Sequence, residues 1–421
     1  MFHCELHRLE GNEQLCSDWR DLLNRVRPDL RLFGPEWFSI WDRTIGSHAP
    51  WTGEMHVAAV YDDASGRLCG VLPIGHPKVG LLRVNAMAGY FQPWRLALAD
   101  QSCEFAVGRA LGWFLVELGW SVMQLGPWPI SHEVHRGILS ALGELEMPMR
   151  KQCTDELAIA ELPPTWEQCQ EGTIGRKFLR RVSNYESKLA REHRVEVRHV
   201  RHPSPFETAE LLACFSLIEQ RSWLINDPHG RPRFVGPVER GFWSELIQQG
   251  LAPQNFFDAW LMRADDRPIS FVVAATVGST RYVIANNYDE AWSDYRVGSQ
   301  LYRRMFEEGY SRGVTRYDFG TNELHYKQRW GAKAADRVET CTVAINHMVS
   351  GFWNAGLKLK GLLDGGLWGR PAAHEQLASG EPVTSGVSGE RGPPRQISPP
   401  VYSPRNRGAD ATPLACPVSA K

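Results

Sequence analysis

The chain has 421 residues, 43% of them hydrophobic, which fits two or three domains with ordinary cores. Its formal net charge of -1 excludes a chain that is basic throughout, so nucleic-acid binding would need a local basic patch. The first residues lack a basic segment followed by an apolar one, and no apolar run is long enough to span a bilayer. We therefore expect a cytoplasmic protein with no transmembrane segment.

The nine cysteines are scattered, without the paired close spacing of a structural zinc site or a disulfide framework. We expect reduced and mostly buried thiols. His132 and His135, and Cys4 between two nearby histidines, lack a second pair of ligands at helical or finger spacing. The sequence therefore predicts no metal site.

Two stretches of the chain repeat one pattern of elements. Each begins with apolar strands joined by an acidic turn, which indicates a hairpin, and continues with a helix, a short strand and another helix. In the first stretch the elements are predicted at 56–61, 68–74, 104–118, 122–126 and 132–142. In the second they are predicted at 259–262, 269–277, 298–311, 316–320 and 322–330. The repetition predicts two similar modules in tandem.

The predicted domain boundaries follow from this repeat. The amino-terminal module covers 1–160 and the carboxyl-terminal module 161–346, followed by a helix or linker at 347–370. Residues 371–421 are rich in Pro, Gly, Ser and Arg and have almost no periodic apolar positions. Such a segment cannot bury enough surface to offset its ordering entropy, so we expect a disordered tail that is dispensable for folding.

The most informative stretch follows the last predicted strand of the second module, which ends at Gly320. A compact helix with several polar groups comes directly after it, and open α/β sheets place their chemistry at such strand ends. The motif residues of this stretch are Asp318, Phe319, Gly320, Tyr326, Lys327 and, three positions after Lys327, Trp330.

These motifs resemble the CelD/BcsL-type acetyltransferases of the GNAT superfamily, whose signature is Asp-Phe-Gly, then Tyr-Lys, then a Trp three residues later. The resemblance is clear from Gly172 to Val338 and faint before that range. It implies an α/β fold with a mixed sheet, built from tandem GNAT-like acyl-CoA N-acyltransferase modules and close in architecture to the FemABX-like transferases. It also implies transfer of an acetyl or longer acyl group from acyl-CoA to an amine or hydroxyl of a sugar, polysaccharide precursor or envelope metabolite.

The resemblance places the cofactor pyrophosphate at the start of the helix after the fourth strand, which here is Arg296-Val297-Gly298-Ser299. Gly298 lets the backbone approach an anion, Ser299 can cap the helix, and the helix start is positive. Arg296 can add a phosphate contact. The superfamily usually has a second glycine, from which Ser299-Gln300 departs, and a plain turn with an N-cap is the alternative interpretation.

The predicted catalytic groups are Asp318, Glu323, Tyr326 and Lys327. A carboxylate at this strand end can deprotonate the acceptor, and a tyrosine, Tyr326 or Tyr302, can protonate the departing thiolate. The alternative is structural: Glu323 and Lys327 form an exposed ion pair at helical spacing, and Asp318 caps the next helix.

The predicted acceptor side includes Tyr288 and Asp289, at the end of another strand, together with Trp330. A turn at Tyr288-Asp289 and core packing of Trp330 are the alternatives.

A basic helix begins at Arg176, with Phe178, Val182, Tyr185 and Leu189 on one face. Its opposite face either holds a phosphate-bearing substrate or is simply solvated. If the basic segment extends to Arg198 and binds tRNA, the chain is a FemABX-like aminoacyl-tRNA-dependent transferase. A non-catalytic binding protein on a degenerate module is the third hypothesis.

Overall fold

The computed structural model describes residues 1–48, 55–79, 82–89, 95–225, 232–321 and 324–363. The strands are β1 (Phe2–Arg8), β2 (His56–Asp62), β3 (Leu68–Gly75), β4 (Lys78–Val79), β5 (Leu82–Met87), β6 (Leu98–Ala99), β7 (Val122–Pro129), β8 (Met149–Glu161), β9 (Val195–Val200), β10 (Phe257–Ala264), β11 (Arg267–Val277), β12 (Thr280–Tyr288), β13 (Arg316–Asp318) and β14 (Lys333–Ala344). The helices are α1 (Glu13–Leu23), α2 (Pro35–Trp41), α3 (Glu104–Glu117), α4 (Glu133–Glu144), α5 (Trp166–Gln168), α6 (Arg176–Glu192), α7 (Pro205–Glu219), α8 (Pro237–Glu245), α9 (Val297–Ser311), α10 (Leu324–Gln328) and α11 (His347–Leu363).

These strands form one continuous mixed sheet, in the order β1-β2-β3-β5-β7-β14-β8-β13-β12-β11-β10-β9. In each half, four neighbouring strands pair antiparallel and a fifth strand is added by a parallel pairing. The parallel pair is β5 with β7 in the first half and β12 with β13 in the second. The two halves exchange their last strands. β8 follows the first half but pairs with β13, and β14 follows the second half but pairs with β7. β14 and β8 also pair with each other, and this pairing joins the two repeats into one sheet.

Local sequence explains the hairpin that opens the second half of the sheet. Between β10 and β11 only Asp265 and Asp266 form the turn, and both have positive φ, 49° and 66°. Two successive residues with positive φ give the turn whose twist suits a two-residue hairpin. The Asp265 carboxylate accepts a hydrogen bond from the Arg194 amide at 2.9 Å, which ties the turn to the start of β9.

The largest core cluster lies around α1, α2, α7 and α8, which pack together against strands of both halves of the sheet. It is strongly aromatic. Trp37, Trp41 and Trp243 are fully buried, and the ring centroids of Trp37 and Trp243 are 6.5 Å apart. A second cluster, between the sheet and α6, α9 and α10, contains the candidate site.

The predicted hairpins, helices and short strands of both repeats are present, with shifts of a few residues at their ends. The basic helix is shorter than the tRNA hypothesis requires: α6 ends at Glu192, and the remaining residues to Arg198 enter β9. The tail at 371–421 lies outside the described residues, as does the end of the helix predicted after 347. No helix in the described part of the chain has the length and apolar character needed to cross a bilayer.

A buried charge network joins β10, β12 and α9. Both carboxylate oxygens of fully buried Asp258 accept from Arg312, at 2.9 and 2.8 Å, and one lies 3.5 Å from Arg281. Arg281 is also fully buried and donates to Glu308 at 2.7 Å. His199, Asp258 and Glu308 bring potential metal-ligand atoms within 4.8 Å of one another. The two guanidinium groups already neutralise these carboxylates, so the cluster is explained as an ion network.

Removal of the Arg281 charge should destabilise the fold. In Arg281→Met the Asp258 carboxylate would stay buried with fewer cationic partners, so we expect the free energy of unfolding to fall by roughly 3 kcal/mol. Urea denaturation measures this change. Arg304→Met is the matched control, because Arg304 is half exposed and its ion pair with Glu186 should contribute under about 1 kcal/mol. Equal losses in the two variants would contradict the prediction.

Candidate functional site

The site is built where two parallel strands of the sheet diverge. β12 and β13 pair only between Thr280–Tyr282 and Arg316–Asp318. β12 then continues to Tyr288, while β13 ends at Asp318. On its other side β12 stays paired with β11 as far as Tyr288. The edge of β12 beyond Tyr282 therefore faces an opening in the sheet instead of a neighbouring strand.

The start of α9 adjoins this opening. Arg296 has a left-handed conformation, with φ 53° and ψ 40°, and the helix begins at Val297. Among the described residues, the amides of Val297 and Gly298 have no hydrogen-bond acceptor, whereas the Ser299 amide donates to the Arg296 carbonyl at 2.9 Å. The N-cap residue is Arg296 and no side chain in the described part of the chain caps the helix, so the predicted cap by Ser299 is wrong. Two free amides at a helix N-terminus form a place for an anion.

The Gly298 backbone lies close to the end of β12. A side-chain Cβ built at Gly298 would lie 3.6 Å from Cδ1 of Tyr288, which is an ordinary van der Waals contact. Tyr288 is half-buried. The first turn of α9 and the predicted acceptor-side tyrosine are thus neighbours.

Two cations lie near the start of α9. Arg296 is exposed, and its guanidinium has no hydrogen-bond or ion-pair partner among the described residues. Lys188 of α6 places its Nζ 4.7 Å from the ring centroid of Tyr295, the residue before Arg296. Glu192 offsets part of this charge, because it accepts from the Tyr295 hydroxyl at 2.5 Å. An exposed, unpaired arginine beside free amides suits a phosphate.

Two tyrosine hydroxyls meet inside the opening. The Asn286 side chain on β12 donates to the hydroxyl of Tyr302 on α9, at 2.5 Å, and lies 3.4 Å from the hydroxyl of Tyr326 on α10. Tyr302 and Tyr326 are also hydrogen-bonded to each other. Burial, followed by the proximity of Tyr326, raises the pKa of Tyr302 well above its usual range. The Tyr302 hydroxyl is therefore protonated at neutral pH, and half-buried Tyr326 is the outer residue of the pair.

Asp318 lies on the opposite face of the sheet from α9. Its neighbours Tyr317 and Phe319 face α9, since the Tyr317 ring stacks on Phe306 at 4.2 Å and Phe319 lies 5.9 Å from Tyr302. Side chains alternate along a strand, so Asp318 points to the other face. There its carboxylate accepts from the Gly320 amide at 2.7 Å.

Burial is the largest influence on the Asp318 carboxyl and raises its pKa to about 6. The hydrogen bond from Gly320 and the charges of Arg316 and Lys327 act in the opposite direction, whereas the Asp29 charge adds to the increase. The carboxyl is therefore mostly ionised at pH 7 yet can take up a proton near neutrality. Such a pKa suits a general base.

The other predicted catalytic residues occupy different places. Lys327 is buried, not exposed as the ion-pair alternative requires, and its Nζ donates to the Thr321 carbonyl at 2.6 Å. Glu323 lies outside the described residues. The structure therefore places Tyr326 on the α9 face and Asp318 on the other, where the sequence predicted one cluster.

Trp330 and Asp289 both have structural contacts. Trp330 is buried and stacks on Tyr302 with centroids 5.5 Å apart, so it packs behind the tyrosine pair. Asp289 caps the turn that leads to α9 through the Ala291 amide at 3.0 Å and lies 3.6 Å from Arg221. Their acceptor contacts stay predictions.

Two residues at the opening were not singled out from the sequence. Arg233 donates to the Ile284 carbonyl on β12, at the open part of the strand. Glu219, fully buried at the end of α7, accepts from the amides of Arg233 and Phe234 at 2.9 and 2.8 Å. The available signal for Glu219 was a carboxylate directly after the mostly apolar run 211–218 of α7. Arg233 gave none, because its contact depends on the tertiary fold.

The arrangement combines an anion-binding helix start, an opening between strands, a protonated tyrosine pair on one face and an ionisable carboxylate on the other. These are groups suited to acyl transfer, which needs an anchored donor and two proton movements.

Comparisons with known proteins agree with this description. Residues 176–328 match the family model described as "Acetyltransferase (GNAT) domain". No curated protein matches the sequence significantly. The structure is similar to FemX, with 11% identity, a TM-score of 0.52, and coverage of 83% of this chain and 99% of that one.

Two further solved structures are similar at lower scores. One is the carboxyl-terminal domain of a putative lysylphosphatidylglycerol synthetase from Agrobacterium fabrum, with 9% identity, TM-score 0.49, and coverage of 83% of this chain and 97% of that one. The other is a tandem GNAT protein from the clavulanic acid biosynthesis pathway, with 8% identity, TM-score 0.45, and coverage of 82% and 99%.

The family match falls on the half of the chain that contains the opening, α9 and α10, and the sheet has the predicted mixed α/β architecture. The chain is thus an acyltransferase with a tandem GNAT-like fold, in which residues 176–328 match the acetyltransferase domain of the GNAT superfamily.

Proposed function

We propose that the chain transfers an acetyl or longer acyl group from acyl-CoA to an amine or hydroxyl of a sugar, a polysaccharide precursor or a similar envelope metabolite. The opening between β12 and β13, with the free amides of α9 at its rim and the Tyr326 hydroxyl within it, carries the proposal. The acceptor class rests on the resemblance to the CelD/BcsL-type enzymes, supported by Asp318-Phe319-Gly320 and Tyr326-Lys327.

The residues at the start of α9 would hold the donor. Acyl-CoA, when bound, supplies an activated acyl group and a thiol leaving group. The amides of Val297 and Gly298 would receive a phosphate oxygen, and the Arg296 guanidinium would pair with the same group. The free edge of β12 offers backbone groups to an extended chain beside it.

The two faces of the sheet would separate the two proton movements. α6, α9 and α10 cover one face, so Tyr326 would donate a proton to the leaving thiolate from that side. The acceptor would approach from the other face, where Asp318 would accept its proton. On that face Arg27 holds Asp29 in a two-pronged ion pair, at 3.2 and 2.7 Å, and the Asp29 charge acts on Asp318. The amino-terminal module would thus help to form the acceptor side.

Acceptor and donor can be tested in one experiment. Thiol release from acetyl-CoA is measured with a panel of amino-sugars and sugar alcohols, and binding of acetyl-CoA and of tRNA is measured in parallel. We expect acceptor-dependent thiol release and micromolar to millimolar acetyl-CoA binding. Salt-sensitive tRNA binding without thiol release would instead indicate an aminoacyl-tRNA-dependent transferase.

Gly298→Asp should weaken acyl-CoA binding by about tenfold or more, because it adds a negative charge beside the two free amides. The backbone at Gly298 does not require glycine, and an added Cβ is accommodated at 3.6 Å from Tyr288. An aspartate at a helix start also favours the helix, so the melting temperature should not fall.

Gly298→Asn is the matched control of nearly equal size, and calorimetric titration with acetyl-CoA measures all three proteins. The asparagine variant should lose much less affinity than the aspartate variant. Wild-type affinity in Gly298→Asp would remove the start of α9 from the donor site.

A further inference from the structure

A cavity of about 360 Å³ lies in the amino-terminal module, away from the opening between β12 and β13. It is bounded by the end of β3, the paired strands β4 and β5, and the segment that links α3 to β7. Its size is at the lower end of the range of about 300–1,000 Å³ for pockets that hold small molecules. None of the proposed acyl-transfer residues lines it.

The floor of this cavity is apolar and rigid. Ile74 and Trp120 line it, and each is at most 3% exposed. The indole nitrogen of Trp120 donates to the Leu115 carbonyl, which fixes the ring. Leu6 and Leu118 extend the apolar wall towards solvent. Hydrocarbon would therefore be buried here.

One wall is a row of hydrogen-bonded polar side chains. Nδ1 of His76 lies 2.8 Å from the side-chain oxygen of buried Asn85, and its Nε2 lies 3.0 Å from Nδ1 of His56. Both nitrogens of His76 are thus engaged and the ring is held in place. This wall is polar without carrying a negative charge.

The rim carries two cationic side chains that lie directly opposite each other on paired strands. Lys78 and Arg83 are direct partners in the antiparallel pairing of β4 with β5, and both are exposed. Residues directly opposite in such a pair project on the same side, where like charges repel. Neither side chain has an anionic partner among the described residues, so their repulsion is not relieved within this part of the chain.

The end of α3 is the feature that would disfavour an anion, because carbonyls at a helix C-terminus are partly negative. This effect is reduced here. The Leu115 carbonyl accepts from both the Leu118 amide, at 3.4 Å, and the Trp120 indole. Glu117, the last residue of α3, adds one carboxylate beside Leu118, against the two side-chain cations at the rim.

We propose that this cavity binds an amphipathic anion, with a carboxylate or phosphate head between Lys78 and Arg83 and a hydrocarbon part on the apolar floor. The anion would relieve the repulsion between the two cations. The hydrocarbon would cover the apolar residues that line the cavity. The amino-terminal module then has a ligand of its own, separate from the acyl donor.

The test is calorimetric titration of the full chain with octanoate and octyl phosphate, with octanol and inorganic phosphate as partial ligands. At least one octyl anion should bind with a Kd of about 0.1 mM or tighter, and each partial ligand at least about tenfold more weakly. The relative affinities of the two octyl anions show whether the head is a carboxylate or a phosphate.

Lys78→Gln combined with Arg83→Gln should weaken binding of the octyl anion by about tenfold or more. Lys151→Gln combined with Lys333→Gln removes two exposed cations from other strands and should leave the affinity unchanged. Three results would overturn the proposal: no binding of either octyl anion at about 1 mM, octanol binding as tight as octanoate, or wild-type affinity in the rim variant.

Discussion

Asp318→Asn should lower the rate of acyl transfer by about a hundredfold or more while leaving the affinity for acetyl-CoA nearly intact. The carboxylate is buried at the end of β13, on the sheet face opposite α9, and the donor contacts lie at the start of α9. Asparagine keeps the size of the side chain and can still accept from the Gly320 amide, but it cannot take up a proton. Steady-state kinetics with the best amino-sugar, together with calorimetry, separates the two effects.

The same residue predicts a pH dependence of activity. A base must be ionised to act, and burial raises the pKa of the Asp318 carboxyl to about 6. In the wild type, kcat/KM should therefore fall as the pH drops below about 6. In the asparagine variant, kcat/KM should not show this fall at low pH.

Stability should change in the opposite direction from activity. The folded-state pKa of Asp318 lies above its unfolded value of about 4, so the native state holds the proton more tightly. Wild-type stability should decline as pH rises from about 4 to about 6, by roughly 3 kcal/mol. Asp318→Asn removes this cost and should unfold at a higher temperature than the wild type at pH 7.5.

Asp18→Asn is a control for the loss of one carboxylate, because Asp18 lies on α1 and pairs with Gln14 at 2.9 Å. It should change neither rate nor pH profile. An Asp318 variant with normal turnover would show that transfer proceeds by positioning and oxyanion stabilisation alone. If the Asp318 variant is slow but its kcat/KM still falls below about pH 6, the fall is caused by the titration of another group.

The elements of both repeats were predictable because their signals are local. Apolar strands around an acidic turn specify a hairpin whatever lies elsewhere in the chain, and β10, Asp265-Asp266 and β11 form one. The exchange of β8 and β14 between the halves was not predictable. Either strand satisfies the same hydrogen-bonding pattern beside β7 or β13, so the choice depends on long-range packing.

In the candidate site, too, the local features were predictable and the long-range arrangement was not. The order of residues in the chain indicated Tyr326, Gly298 and the end of β12, and the structure brings the latter two close together. The order could not show which face of the sheet each side chain takes. Tyr317 and Asp318 are neighbours on one strand, so their side chains point to opposite faces: Tyr317 faces α9 and Asp318 does not. Contacts such as Arg233 with Ile284 join segments that have no local relation in the sequence.

Tyr326→Phe should also lower turnover by about a hundredfold, because it removes the outer hydroxyl of the tyrosine pair and with it the proposed proton donor to the leaving thiolate. Tyr302→Phe should have a smaller effect, since its inner hydroxyl only orients Tyr326 and Asn286. Tyr310→Phe is the matched control, with its hydroxyl 3.1 Å from the Pro163 carbonyl at the far end of α9.

The leaving group provides the sharper measurement for Tyr326. A thiol of low pKa leaves without needing a proton, so the defect of Tyr326→Phe should shrink to within about threefold of wild type when an aryl thioester replaces acetyl-CoA. Asp318→Asn should stay slow with the same aryl thioester, because the acceptor must still lose its proton. If the Tyr326 variant is equally slow with both donors, its hydroxyl positions the substrate and does not donate the proton. If the two variants respond alike to the aryl donor, the assignment of acid and base to opposite faces of the sheet is wrong.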